Sequence, residues 1–271
     1  MDDHDYPSEN RGNRMPGLDE DVAEQRAERL ISLVEAHLPL ETHVLGSADA
    51  WQLDGPALLS RQAGTLRALC ALRALDQEAD AFVLLRTLYE HAVTFAWLAA
   101  EPGEDRHQRF LKSDAEARLA MDDDGQKVGI GLLEEAQRRR FESQVARLPK
   151  AMPDVRQRAE AADEHWVDRI PGLRKDSEAG SYRGLYAIAY RRHSAIAHPS
   201  LMGLNFVTVD LRGGGKRVQL EQRDPEMHGP FGLGSILLGF SLFIAGHALG
   251  WPEVSAVEAA FEEPARTGTA D

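Results

Sequence analysis

The chain is poor in sulfur, sparing in aromatics and short of positive charge. One cysteine, Cys70, in 271 residues excludes an internal disulfide framework. Its Ala- and Leu-rich helical surroundings mark it as a buried, inert thiol rather than a nucleophile. Lys and Arg number 31 against 44 Asp and Glu, a formal charge of -13. The whole-molecule field therefore repels polyanions, and any contact with nucleic acid has to be local. The ten histidines contain no H-x-x-x-H pair, so no metal-ligand spacing emerges and no cofactor is expected. Gly213, Gly214 and Gly215 are not followed by a Gly-Lys-Ser/Thr helix start, which makes them a hairpin tip and not a phosphate loop. Asp122, Asp123 and Asp124 precede Gly125 without the later oxygen ligands of a calcium loop, and read as a helix-ending turn. The first 28 residues are acidic and polar with no apolar run, so no signal peptide is expected, and the cytoplasm is the expected compartment.

What the chain does have is apolar helical periodicity. At 43% hydrophobic residues it can bury a substantial core. A mainly α fold is expected: a helical bundle forming one domain over 17–252, between a disordered acidic tail at 1–16 and a flexible tail at 253–271. The spacing predicts helices over about 18–38, 56–75, 77–100, 102–121, 131–148, 153–167 and 178–198. The helices from 102 onward carry the bulk of the surface charge, including the solvated cluster Arg138, Arg139 and Arg140. Over 205–223 the period changes to two around the three glycines, which predicts a β-hairpin. The stretch 231–251 holds no formal charge over 21 positions, so a membrane span has to be weighed. Its glycines, His247 and the lack of flanking Lys/Arg clusters favour a helix packed tightly in a soluble core or at a dimer interface.

The densest chemistry lies at 190–200, where Tyr190, Arg191, Arg192, His193, Ser194 and His198 precede Pro199. Proline disfavours helical geometry at the residue before it, so His198 is expected at an open helix C-terminus, where the dipole favours an imidazolium. On a regular helix Gly184, Ala187, Arg191, Ser194, Ala195 and His198 share one stripe, and Leu185, Ile188, Ala189 and Ile196 another. Either Arg191 or Arg192 is a candidate partner for His198. The alternative is an ordinary helix cap with solvated ion pairs. Elsewhere, Arg86 and Glu90 sit four residues apart in the most apolar interior helix. The spacing predicts a buried ion pair, with Tyr190 as a candidate hydrogen-bond partner.

The segment from Arg192 to His198 resembles the R-x4-6-H signature of the HEPN superfamily. Its members are compact helical domains that often dimerise, and many cleave RNA without metal. The chain is also similar to a set of uncharacterised bacterial helical proteins with an R-x-x-x-E helix followed by Y-x-x-x-S-x-x-x-H-P-S. That likeness spans about 60–250 and rests on Arg86, Glu90, Tyr190, Ser194 and His198. The first resemblance implies a metal-independent endoribonuclease with Arg191 or Arg192 and His198 as catalytic residues. Ser194, Tyr190, His193, Arg86 and Glu90 would then bind or support, and a homodimer would hold RNA at a local basic site. A noncatalytic module for a protein partner or nucleotide is the alternative, and a membrane-associated protein using 231–251 a second.

Overall fold

The computed structural model describes residues 20–38, 51–75, 77–102, 104–148, 150–174, 180–192, 194, 208–211, 215–218 and 230–262. The described chain is mainly helical. In order come α1 (Glu20–His37), α2 (Trp51–Ala74), α3 (Glu78–Ala100), α4 (Glu104–Lys127), α5 (Glu135–Arg147), α6 (Val155–Trp166) and α7 (Tyr182–Leu185). A π-helical turn, Tyr186–Arg192, continues α7. After it come strands β1 (Thr208–Leu211) and β2 (Gly215–Val218), then α8 (Pro230–Ala248) and α9 (Val254–Phe261). The strands pair antiparallel with Thr208 opposite Val218 and Leu211 opposite Gly215. The remainder of 205–223, Gly213 and Gly214 of the tip included, lies outside the described residues, as does the N-terminal tail 1–16.

α3 is the centre. Phe82, Leu85, Leu88, Tyr89, Val93 and Phe95 are all buried, and the helix packs against α2, α6, α8 and the π-helical turn. A helix apolar around most of its girth belongs in an interior of this kind. α8 is the other inner helix: Leu237, Leu238, Leu242 and Ile244 are fully buried between α1, α2 and α3. Its glycines mark close approach. A Cβ on Gly234 would stand 2.9 Å from Leu66, and one on Gly239 would run into the Phe261 ring at 2.3 Å. Among the described residues no helix is long and apolar enough to cross a membrane.

Two expectations need correcting. The loose tail expected from residue 253 contains α9, with Val257 and Ala260 buried and Phe261 seated on Gly239. Its apolar stripe 254, 257, 260 and 261 has helical spacing that an acidic flank masks. Arg26 lies over the Phe261 ring and donates to its carbonyl, tying α9 to α1. The acidic run at 122–124 is also no helix end, because α4 continues to Lys127.

Asp122 instead organises the α4–α5 turn. Its carboxylate, fully buried, accepts from the N–H of Leu132 at 2.7 Å and Leu133 at 2.9 Å, from Gln126 at 2.8 Å and from Arg138 Nη1 at 2.5 Å. Arg138 also bridges Asp123 and Glu142, so one arginine of the expected solvated cluster is a structural clamp. The N–H of Leu133, then of Leu132, and Arg138 hold the Asp122 carboxyl below the usual range, against the opposing effect of burial. A folded pKa below the unfolded one means the ionised carboxylate stabilises the turn above about pH 3.9, and that support is lost as pH falls through the folded value. Amide exchange in 122–138 should accelerate in strong acid before exchange in α3 does. Asp122→Ala should produce the same local acceleration at neutral pH, and unchanged exchange there would refute the assignment.

Candidate functional site

Arg86 and Glu90 do not find each other. Arg86 lies with its guanidinium carbon 4.8 Å from the Tyr190 ring centroid and donates through Nη2 to the Tyr190 hydroxyl at 3.4 Å. Glu90 turns to Arg158 of α6, whose Nη2 stands 3.6 Å from Glu90 Oε1. Arg158 Nη1 also donates to the Thr94 hydroxyl, which donates in turn to the Glu90 carbonyl at 2.7 Å. The Arg158 side chain is only 4% exposed and Glu90 is 44% exposed, so the pair joins a buried cation to an anion with access to water. Burial pulls the Arg158 guanidinium below the ordinary arginine range, against the opposing pull of Glu90. The charged-helix reading of 153–167 therefore missed a buried arginine. The signal was present, since Val155, Arg158, Ala159, Ala162, Asp163 and Trp166 form one helical stripe, all buried.

The aromatic part of the site comes from the segment after α7. Ser181 caps α7 by accepting from the Gly184 N–H at 2.9 Å. Asp163 accepts from the N–H groups of Tyr182 and Arg183, both at 2.8 Å. Burial pushes the Asp163 carboxyl up, against these two donors. With its N-terminus fixed twice over, the segment leaves α-helical geometry and widens into a π-turn from Tyr186. Such turns are uncommon and concentrate at functional sites. The Tyr186 and Tyr190 rings stack at 5.2 Å with 17° between planes. Tyr89 of α3 lies under both, 6.4 Å from Tyr186 and 6.0 Å from Tyr190. Its buried hydroxyl donates to the Tyr182 carbonyl at 2.6 Å, and burial pushes that phenol well above its usual pKa.

The regular α-helix expected over 178–198 accordingly gives way to π-helical geometry from Tyr186, although Leu185 and Ala189 are buried as anticipated. Arg191 is exposed. Ser194 donates to the Tyr190 carbonyl at 2.7 Å, continuing the turn. The Arg192 side chain, His193 and His198 lie outside the described residues.

Two partly buried groups, one in α3 and one in α2, bear on the reactive candidates. His91, beside Glu90, has its imidazole pKa lowered by burial and then by Arg61, with Glu90 opposing. Burial, with Glu24 and Glu28, pushes the Cys70 thiol up, the reverse of what a nucleophile requires. Among the described residues no three His, Cys, Asp or Glu side chains gather as a metal site.

Residues 57–215 match a family of unknown function, DUF5677. The chain belongs to that family. The matched stretch runs from α2 to the start of β2, so Arg86, Glu90 and the whole 190–200 motif of this DUF5677 protein lie inside it. No curated protein and no solved structure matches the chain.

Proposed function

We propose that this DUF5677 protein is a HEPN-like, metal-independent endoribonuclease in which His198 and an arginine of the 191–192 pair act on an RNA phosphodiester. The observation that carries the reading is the cluster of Arg86, Tyr190 and Tyr186 at the foot of the motif. It places a cation and stacked aromatic faces beside the exposed Arg191 in a protein whose net charge is -13. Stacked phenol rings favour an unstacked nucleobase, and guanidinium groups favour its phosphate. A homodimer joining two such motifs doubles the local positive charge and relieves the repulsion of the acidic body.

The chemistry balances without a co-reactant. The ribose 2′-oxygen attacks phosphorus as its proton leaves, the bond from phosphorus to the 5′-oxygen breaks, and the 5′-oxygen takes up a proton. The products are a 2′,3′-cyclic phosphate and a 5′-hydroxyl. The His198 imidazole exchanges one of these protons. Arg191 or Arg192 stabilises charge developing on the phosphate. Glu90 and Arg158 hold α3 and α6 in place around the site.

The test is incubation with RNA in EDTA. Wild-type protein should release fragments ending in 2′,3′-cyclic phosphate, and His198→Ala should lower the rate by about 10²–10⁴. Absence of wild-type cleavage, or equal cleavage by the variant, would leave the noncatalytic binding module as the reading.

A further inference from the structure

Two guanidinium groups face Tyr190 with one carboxylate between them. Arg86 comes from α3 and donates through Nη2 to the Tyr190 hydroxyl at 3.4 Å. Arg158 comes from α6. Burial is the strongest influence on its charge, followed by Glu90 and then Tyr190, with Asp154 weaker still, so the phenol oxygen faces both arginines. Among the described residues Glu90, one turn beyond Arg86, is the acid in ion-pair contact with this cluster.

Both cations are short of acceptors. A guanidinium carries five N–H donors. Arg158, with a side chain only 4% exposed, commits Nη1 to the Thr94 hydroxyl, and its 3.6 Å contact with Glu90 is too long for a hydrogen bond. Nε of Arg158 and Nε of Arg86 are both buried and donate to no acceptor among the described residues. Buried charged donors in this condition are costly, and a group offering several oxygens relieves them. Glu90 is a poor permanent partner: at 44% exposed its carboxylate can turn to water, which the buried guanidinium cannot do.

We infer that Arg158 and Arg86 form an oxyanion subsite for an RNA phosphate adjacent to the scissile one, and that Glu90 is the counter-ion this phosphate displaces from Arg158. The inference rests on the nuclease reading for the identity of the ligand, and adds to it a place where phosphate is captured apart from proton transfer. Phosphate oxygens match planar guanidinium forks bidentately. Charge selects an anion here, since two cations share one contacting acid in a chain whose net charge is -13. The stacked Tyr186 and Tyr190 rings beside Arg86 favour the attached base, which makes a nucleotide a better occupant than a bare anion.

The test uses full-length protein in EDTA and a fluorescently labelled 2′-O-methyl RNA tetranucleotide, whose blocked 2′-oxygens cannot attack. Glu90→Gln keeps the side chain's shape and removes the competing charge. It should bind the probe about fivefold or more tightly than wild type, roughly the strength of one partly exposed ion pair. Arg158→Met should bind it about tenfold or more weakly, and adding Glu90→Gln to Arg158→Met should change nothing further. Should Arg158→Met fail to fold, Arg86→Met, at a half-buried position, should weaken binding by a similar factor. A Glu90 that only props Arg158 in place predicts the opposite sign, so equal or weaker binding by Glu90→Gln overturns the proposal. So does the absence of binding by wild type and Glu90→Gln at roughly 1 mM protein. Inorganic phosphate that displaces the probe as well as unlabelled tetranucleotide does overturns the assignment to RNA in favour of a free anion. The expected binding pattern without cleavage of ordinary RNA keeps the subsite and removes the nuclease reading, and cleavage without the pattern does the reverse.

Discussion

Replacing Tyr89 by alanine should cost about 3–5 kcal/mol of unfolding free energy, the range for deleting a buried aromatic side chain. The ring is fully buried and is the surface on which Tyr186 and Tyr190 rest. Its hydroxyl also fastens α3 to the start of α7 through the Tyr182 carbonyl. Tyr89→Phe keeps the ring and removes only the donor. The Tyr182 carbonyl retains the Tyr186 N–H, so that variant should lose about 1 kcal/mol. Urea denaturation of the three proteins measures both values. A Phe variant as damaged as the Ala variant would mean that the hydroxyl, and not the aromatic stack, holds the site together.

Glu90→Ala should destabilise by about 2–3 kcal/mol, because it leaves a guanidinium that is almost entirely buried without its counter-ion. The value sits below the range for a fully buried pair because Glu90 itself reaches water and the 3.6 Å contact is long. Arg158→Met should be milder, since an apolar side chain of similar length suits the buried stripe of α6. In the double variant Arg158→Met with Glu90→Ala, most of the Glu90→Ala cost should disappear. Additive losses in that cycle would show that Glu90 acts through something other than Arg158. Cleavage of RNA by a folded double variant would separate this structural pair from the catalytic groups.

The helices were legible because their apolar residues recur at helical spacing, and the membrane-like composition of 231–251 resolves into an inner helix by the same logic. Gly234 and Gly239 already pointed to close packing there. The partner of Glu90 was not legible from the nearest basic residue. Spacing along one helix offered Arg86, whereas the fold brings Arg158 from 68 residues further along the chain. Long-range pairing is invisible to a periodicity argument unless the charged residue is noticed inside an apolar stripe. Asp122 escaped for a related reason: its role depends on a turn ten residues away, closing onto a carboxylate that looks like one of three equivalent surface acids. Tyr190 was recognised as a partner of Arg86, but its stacking on Tyr186 required the widened turn. Regular-helix geometry does not supply that turn.

That widened turn holds about one residue more between Tyr186 and Arg192 than an α-helical coil of the same span. Removing one residue from Tyr186–Arg192 would let the coil tighten to ordinary α pitch with little change in the direction of its far end, because that residue is what the wider turn absorbs. Leu185 and the clasp of Asp163 would stay where they are. A one-residue deletion in this turn is thus absorbed locally, whereas the same deletion within α3 would rotate every later residue of that helix by about 100°.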